Sequence, residues 1–182
     1  MNVSLLGLGT VKLGRREGVK YPEPFELPTD AEAARLLDRA HELGINLIDT
    51  APAYGSSEER LGQLLLDRRS DWLLCTKVGE TFSGGASSYD FSPEAVSVSV
   101  KTSLQRLHTD RLDIVLIHSD GNDLESLNSL GTHDCLKDLK DRGWIRAVGI
   151  SHKTLAGAER ALELGCEVIM ATLNLEDQTE SD

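Results

Sequence analysis

Residues 44–55 read Gly44-Ile45-Asn46-Leu47-Ile48-Asp49-Thr50-Ala51-Pro52-Ala53-Tyr54-Gly55. The apolar run at 45–48 is a strand, bounded by Gly44 on one side and by Asp49 and Pro52 on the other. Before it, Ala33, Leu36, Leu37, Ala40 and Leu43 recur at helical spacing and predict a core-facing stripe. Thr29 and Glu32 have the spacing of a capping box at the start of that helix. Gly44 stands where a left-handed helix stop favours glycine. After the strand, a second helix starts near Ser56 or Ser57 and carries Leu61, Leu64 and Leu65. Helix, strand and helix in succession argue for βαβ units.

The alternation continues in both directions. Residues 3–8 read as a first strand, followed by a Gly/Pro-rich loop over 14–28. Residues 72–78 are a third strand, and the polar, glycine-rich stretch 79–91 a loop. Ser92-Pro93 has the form of an N-cap with proline at the first helical position, ahead of Val96, Val100, Leu104 and Leu107. Further strands are expected at 112–117, 145–150 and 168–173, with helices at 132–142 and 153–164 and a polar tail at 176–182 that starts another. Strands alternating with helices give a parallel sheet with right-handed crossovers. The run Ile114-Val115-Leu116-Ile117 is apolar throughout, as when both sheet faces are covered. A doubly wound sheet and a (β/α)8 barrel both fit, and both bind ligands at the carboxyl ends of the strands. The dinucleotide fingerprint is poorly matched: Gly7-Leu8-Gly9 is followed by Thr10, and the next glycine is Gly14. No internal linker is visible, so residues 1–182 read as one α/β domain.

Composition narrows the function classes. The 182 residues carry 19 Lys+Arg against 30 Asp+Glu, a net charge of −11, which argues against nucleic acid or an anionic membrane as partner. No apolar run approaches the ~20 residues of a membrane span. The N-terminal residues lack the basic and apolar regions of a signal peptide, so a cytoplasmic protein is expected. Cys75, Cys135 and Cys166 are odd in number and widely spaced, which reads as reduced thiols. No cluster has metal-ligand spacing; His133 and Cys135 stand alone as a pair, and 118–123 reads as the loop after strand four, shaping a substrate pocket.

The informative polar residues sit at strand ends. Asp49 ends the second strand, Lys77 the third and His118 the fourth, and Tyr54 lies five residues past Asp49. Singly, these read as a turn residue, a solvated lysine, a core histidine and a packing aromatic. Jointly, parallel strands bring them to one rim. A free tyrosine, with a pKa of about 10, is a weak acid at neutral pH. A neighbouring ammonium lowers that value, a carboxylate keeps the ammonium charged, and an imidazole orients a carbonyl oxygen. Such a set suits carbonyl reduction with hydride from a cofactor.

These residues carry a resemblance. The run 44–55, with Ser57-Glu58 and Leu61-Gly62, resembles the signature of the aldo/keto reductase family. Thr76-Lys77-Val78-Gly79, Leu112-Asp113-Ile114 to Ile117-His118, and Gly149-Ile150-Ser151 resemble its later blocks, in the family's order. The resemblance implies a (β/α)8 TIM barrel and an NADP(H)-dependent reductase of aldehydes or ketones. It makes Tyr54 the proton donor, Lys77 the group that lowers its pKa, Asp49 the partner of Lys77, and His118 the carbonyl-orienting group. Ser151 and Asn174 match cofactor-side positions, Ser151 at the nicotinamide carboxamide. Two positions depart from the family pattern: His152 stands where asparagine is common, and Met170 where glutamine is common. Nicotinamide anchoring would then rest on Ser151 and backbone groups. The chain also shows about six strands of eight, leaving the last two βα units unassigned and two sheet edges that self-association would cover. Three alternatives stay open: a non-catalytic cofactor-sensing or interaction protein on the same scaffold, an inactive fragment of a reductase, and a Schiff-base enzyme using Lys77.

Overall fold

The computed structural model describes residues 1–19, 23–128, 131–176 and 178. In chain order these residues form β1 (Gly7–Gly9), α1 (Val11–Gly14), α2 (Asp30–Glu42), β2 (Leu47–Asp49), α3 (Ser57–Leu64), β3 (Leu73–Val78), β4 (Glu80–Ser83) and β5 (Ala86–Tyr89). There follow α4 (Pro93–Arg106), β6 (Leu112–His118), α5 (Asp123–Asn128), α6 (Thr132–Asp141), β7 (Ile145–Ser151), α7 (Leu155–Glu163) and β8 (Val168–Met170). Six strands pair in parallel in the order β1-β2-β3-β6-β7-β8, while β4 and β5 form a separate antiparallel hairpin. The sheet curls into part of a (β/α)8 barrel.

Strand alternation divides the side chains between two apolar clusters. Ile48, Leu74, Val78, Val115, Ile117, Val148 and Ile150 join helix residues such as Leu37, Leu61, Val96, Val100 and Leu136 in the larger one. The intervening residues Cys75, Ile114, Leu116 and Ala147 form the smaller one with Leu47, Val168 and Met170. Two-residue periodicity carries this second face to Asp49, Lys77, His118 and Ser151 at the strand ends.

The local signals mostly hold. Glu32 N donates to Thr29 Oγ1 and Thr29 N to Glu32 Oε2, which completes the capping box. Ser92 accepts from Ala95 N, with Pro93 opening α4. Gly44 has φ +79° at the stop of α2. The expected stripe on α2 is narrower than read: Ala33, Leu37 and Ala40 are buried, but Leu36 and Leu43 are 44% and 62% exposed. The α2 stripe thus runs past the helix face that meets the core.

Boundaries differ where apolar content and strand pairing part company. Strand β1 is Gly7–Gly9 rather than 3–8, because only those residues pair with β2, and Leu5 and Leu6 are exposed. Strand β8 stops at Met170, short of 173. The short α1 reaches the edge of the expected 14–28 loop, and α5 begins at the last residue of the loop read at 118–123. The stretch 79–91 is not a loop throughout but contains the β4–β5 hairpin, turned by Gly84 and Gly85 at φ +60° and +83°. Of the polar tail, 177 and 179–182 lie outside the described residues.

Gly149 lets β7 and β8 approach. A Cβ there would overlap the Val168 carbonyl oxygen. Gly149→Ala is therefore expected to destabilise by ~1–3 kcal/mol, as overpacking does. Urea denaturation checks this, and an unchanged midpoint would show that β8 yields freely.

All three cysteines are free. Burial pushes the Cys75 thiol up to about 12 and the Cys166 thiol up to about 11, so neither is a thiolate at neutral pH. Among the described residues no helix is long and apolar enough to cross a membrane, and no group of three or more His, Cys, Asp or Glu could hold a metal ion.

Candidate active site

Four strand ends and one loop build the site. Asp49 closes β2, Lys77 lies one residue from the end of β3, His118 closes β6 and Ser151 closes β7. His118 and Ser151 are register partners, and Ser151 pairs in turn with Met170.

Lys77 is the centre of the arrangement. It is 1% exposed, which for a lysine requires compensation. Its Nζ donates to Asp49 Oδ1 at 2.6 Å, to the Thr50 carbonyl at 2.9 Å and to the Tyr54 hydroxyl at 3.1 Å. An ammonium has three N–H donors, so each has a partner. Burial pushes the Lys77 pKa down, but Asp49 and then Tyr54 outweigh it, and the ammonium is held above its ordinary range.

The loop that carries Tyr54 is tied down by hydroxyls and backbone. Ser57 Oγ donates to the Thr10 hydroxyl at 2.9 Å, Thr50 Oγ1 donates to Ser57 Oγ at 3.1 Å, and Thr10 Oγ1 donates to the Asp49 carbonyl at 2.8 Å. All three hydroxyl residues are fully buried. Gly55, at φ +62°, packs against the backbone of Gly14 too closely to admit a side chain. From the other side, Arg15 Nη1 donates to the Ala53 carbonyl at 3.0 Å, and its guanidinium lies 3.4 Å from the Phe82 ring centroid on the hairpin.

Tyr54 corrects one sequence expectation. Burial is the largest influence on its hydroxyl and raises its pKa; Lys77 pulls it down and Asp49 pushes it up. The balance lies above the ordinary tyrosine value. Lys77 thus acts in the expected direction but does not prevail, because the phenol is largely shielded from water.

His118 meets Tyr54 edge-on, with ring centroids 6.4 Å apart. Its Nδ1 is buried and lies 2.7 Å from Glu80 Oε2. Glu80 opens β4 and also accepts from Ser87 Oγ of β5 at 2.5 Å. Burial raises the Glu80 pKa, but His118 and Ser87 outweigh it and hold the carboxyl below its usual range.

A cavity of about 470 Å³ opens above these groups, lined by Val11, Arg15, Gly18, Val19, Tyr54, Glu80, His118 and Lys153. The structure thus brings Asp49, Tyr54, Lys77 and His118 together, with Tyr54 and His118 facing the cavity. Glu80, Arg15 and Lys153 are additions that sequence reasoning missed. Two of them sit on segments read as loops, where no apolar period marks a position; the Gly84-Gly85 pair was the available signal for the hairpin.

The cofactor-side positions divide. Ser151 is nearly buried beside His118, and its hydroxyl has no hydrogen-bond partner among the described residues. An open hydroxyl at the rim fits a carboxamide, whereas the neighbouring Met170 thioether offers no donor. Asn174 lies past β8, exposed, with Oδ1 accepting from Glu176 N at 2.9 Å, and lines no part of the cavity. His152 is buried, with Nδ1 3.1 Å from the Thr154 carbonyl at the cap of α7.

Comparison with known proteins agrees with this geometry. The profile of the aldo/keto reductase family matches residues 5–180. A crystal structure from Pseudomonas aeruginosa, described as an aldo-keto reductase, superposes with a TM-score of 0.90 at 52% identity, covering 98% of this chain and 67% of that one. The D-arabinose 1-dehydrogenase of Saccharomyces cerevisiae is 36% identical over 71% of this chain and 38% of its own length. The NADH-specific methylglyoxal reductase of Escherichia coli is 33% identical over 98% of this chain and 57% of its own. The chain spans about half the length of the curated relatives it matches.

Proposed function

Because the chain belongs to the aldo/keto reductase family, we propose that its rim reduces the carbonyl of a small aldehyde or ketone, with NADP(H) as cofactor and Tyr54 as proton donor. The observation that carries the reading is the buried Lys77 ammonium, bonded at once to Asp49, the Thr50 carbonyl and the Tyr54 hydroxyl. A solvated or structural lysine has no need of a phenol facing a cavity.

The residues divide the work. His118 meets the carbonyl oxygen and orients it over Tyr54. The Tyr54 phenol gives its proton to that oxygen as negative charge develops there. Lys77 stabilises the phenolate left behind, and Asp49 keeps Lys77 charged in a dry setting. Ser151 would hold the carboxamide of the nicotinamide. Bound there, the nicotinamide ring of the reduced cofactor would supply the hydride. The cavity lining of Arg15, Glu80, His118 and Lys153 favours polar, hydroxylated substrates. The D-arabinose in one relative's name is consistent with that class, and the methylglyoxal in another's is a small polar carbonyl compound without a hydroxyl.

The assay is consumption of NADPH, and separately of NADH, against a panel of sugars and small aldehydes. Turnover with NADPH in excess of NADH supports the full reading. Turnover with NADH alone retains the reductase and overturns the cofactor choice. Cofactor binding by the folded chain with no turnover on any substrate overturns the enzyme.

The pH dependence follows from Tyr54. Reduction needs the phenol, and its raised pKa keeps that form present through neutral pH and beyond the ordinary value of about 10. No loss of reductive kcat from Tyr54 is therefore expected below about pH 10, with a fall above it. Oxidation of the alcohol needs the phenolate and should rise along the same limb. A Tyr54-dependent fall in reductive kcat near neutral pH would contradict the raised value.

A further inference from the structure

Two cations stand at the mouth of the cavity. Arg15 follows α1, just past the end of β1, and Lys153 lies two residues past Ser151 at the end of β7. Strands β2, β3 and β6, which carry Asp49, Lys77 and His118, run between β1 and β7. The cations thus flank the catalytic groups. Arg15 is fixed without an acid. Its Nε donates to the Glu17 carbonyl at 2.8 Å, Nη1 to the Ala53 carbonyl at 3.0 Å and Nη2 to the Gly18 carbonyl at 3.0 Å, while Phe82 covers one side of the guanidinium. These bonds use three of the five N–H donors of the fork, and neutral carbonyls leave its charge whole. Lys153 is exposed, and its side chain has no partner among the described residues. Its root is held instead: the Lys153 backbone N donates to Asp123 Oδ2 at 3.0 Å, and Asp123 is 1% exposed.

Glu80 is the only acid among the described residues that line the cavity. Its oxygens are already engaged, Oε2 lying 2.7 Å from His118 Nδ1 and Oε1 accepting from Ser87 Oγ at 2.5 Å. A surplus of positive charge therefore remains at the mouth, in a chain whose net charge is −11. Distant surface acids are screened beyond about 8 Å at physiological ionic strength, so a ligand in the cavity feels mainly these local cations. A guanidinium fork matches a carboxylate or a phosphate, and an ammonium on a flexible stem adds a point charge to either. We infer that the substrate of this site carries a carboxylate or a phosphate beside its carbonyl, and that Arg15 and Lys153 bind that anionic group. Arg15 is the pre-set partner. Lys153, mobile at its tip and fixed at its root, closes on the same group. The cavity of about 470 Å³ has room for a small acid of this kind. The inference rests on the reductase reading, because it names the substrate class of that same site; its anion-binding half is measured without turnover.

The test compares aldehydes that differ in the anionic group: glyceraldehyde 3-phosphate against glyceraldehyde, and succinic semialdehyde against butanal. The unaltered chain should reduce the charged member of at least one pair with kcat/KM about tenfold higher or more, an advantage that shrinks with added salt. Lys153→Glu, at an exposed position, should fold, as circular dichroism checks, and should lower the ratio within that pair about tenfold. In parallel, glycerol 3-phosphate and succinate, which carry no reducible aldehyde or ketone, are titrated into the cofactor-free chain and followed by NMR. One of them should give saturable shifts at Arg15 and Lys153 that glycerol does not give, with affinity about tenfold weaker in Lys153→Glu. Ratios near one in both pairs overturn the proposal, and so does a ratio that Lys153→Glu leaves in place. If that variant weakens NADPH binding instead, the cations serve the phosphates of the cofactor and the substrate assignment falls. A chain that binds these anions through Lys153 but reduces no carbonyl contradicts the reductase reading alone. A reductase indifferent to the anionic group contradicts this proposal alone, and a folded chain with neither turnover nor anion binding overturns both.

Discussion

Tyr54→Phe is expected to lower kcat for carbonyl reduction by roughly 10²–10⁴-fold, the usual contribution of a positioned general acid. The ring is retained, so its edge contact with His118 and the shape of the cavity persist. Only the hydroxyl that accepts from Lys77 Nζ at 3.1 Å is removed, leaving Nζ with Asp49 and the Thr50 carbonyl. Losing one such bond costs about 1–2 kcal/mol, so the variant should fold. Cofactor affinity should not change, which separates lost chemistry from lost binding. Steady-state kinetics beside a thermal melt decide it. Full activity in a pure, folded Tyr54→Phe protein removes the phenol from the mechanism.

Asp49→Ala should be the most destabilising change at the rim. Lys77 is 1% exposed and its carboxylate partner is 2.6 Å away. Removing one member of a buried pair leaves a charge uncompensated, at a cost of about 3–5 kcal/mol. Asp49→Asn keeps an acceptor without the charge and should lose less. The sign of the pH dependence is fixed by linkage. The folded-state pKa of Lys77 lies above the ordinary value, so its contribution is complete below the ordinary lysine value and is lost as pH rises through the folded one. The gap between the native chain and Asp49→Ala should therefore be full at neutral pH and narrow only in strong alkali. Urea denaturation across that range measures it. A gap below about 1 kcal/mol at neutral pH would mean that water reaches Lys77 once Asp49 is gone.

The parts of this site that were legible in the sequence share one physical cause. Parallel strands end on a common side, so a polar residue closing an apolar run is aimed at a common rim. Asp49, Lys77 and His118 could be read that way, and Tyr54 by its spacing from Asp49. The capping box at Thr29 and the glycine stops were legible because they are local. What stayed hidden depends on distant contacts. Glu80 and Arg15 lie in polar segments with no apolar alternation, so no period in the sequence marks them. The upward shift at Tyr54 comes from burial, and burial is a property of the assembled rim rather than of spacing. The exposure of Leu36 and Leu43 has the same origin, since a helical stripe does not reveal how much of it the core will cover.

The central claim is that this rim passes hydride to a carbonyl carbon while Tyr54 supplies the proton. The most direct measurement is isotopic: the protein is given NADPH, and separately NADH, deuterated at the transferable position of the nicotinamide, with a reactive aldehyde. The account predicts deuterium on the carbinol carbon of the alcohol product, formed by the unaltered chain and nearly absent with Tyr54→Phe. Alcohol formed without deuterium, or folded protein that binds the cofactor and yields no alcohol, would contradict it.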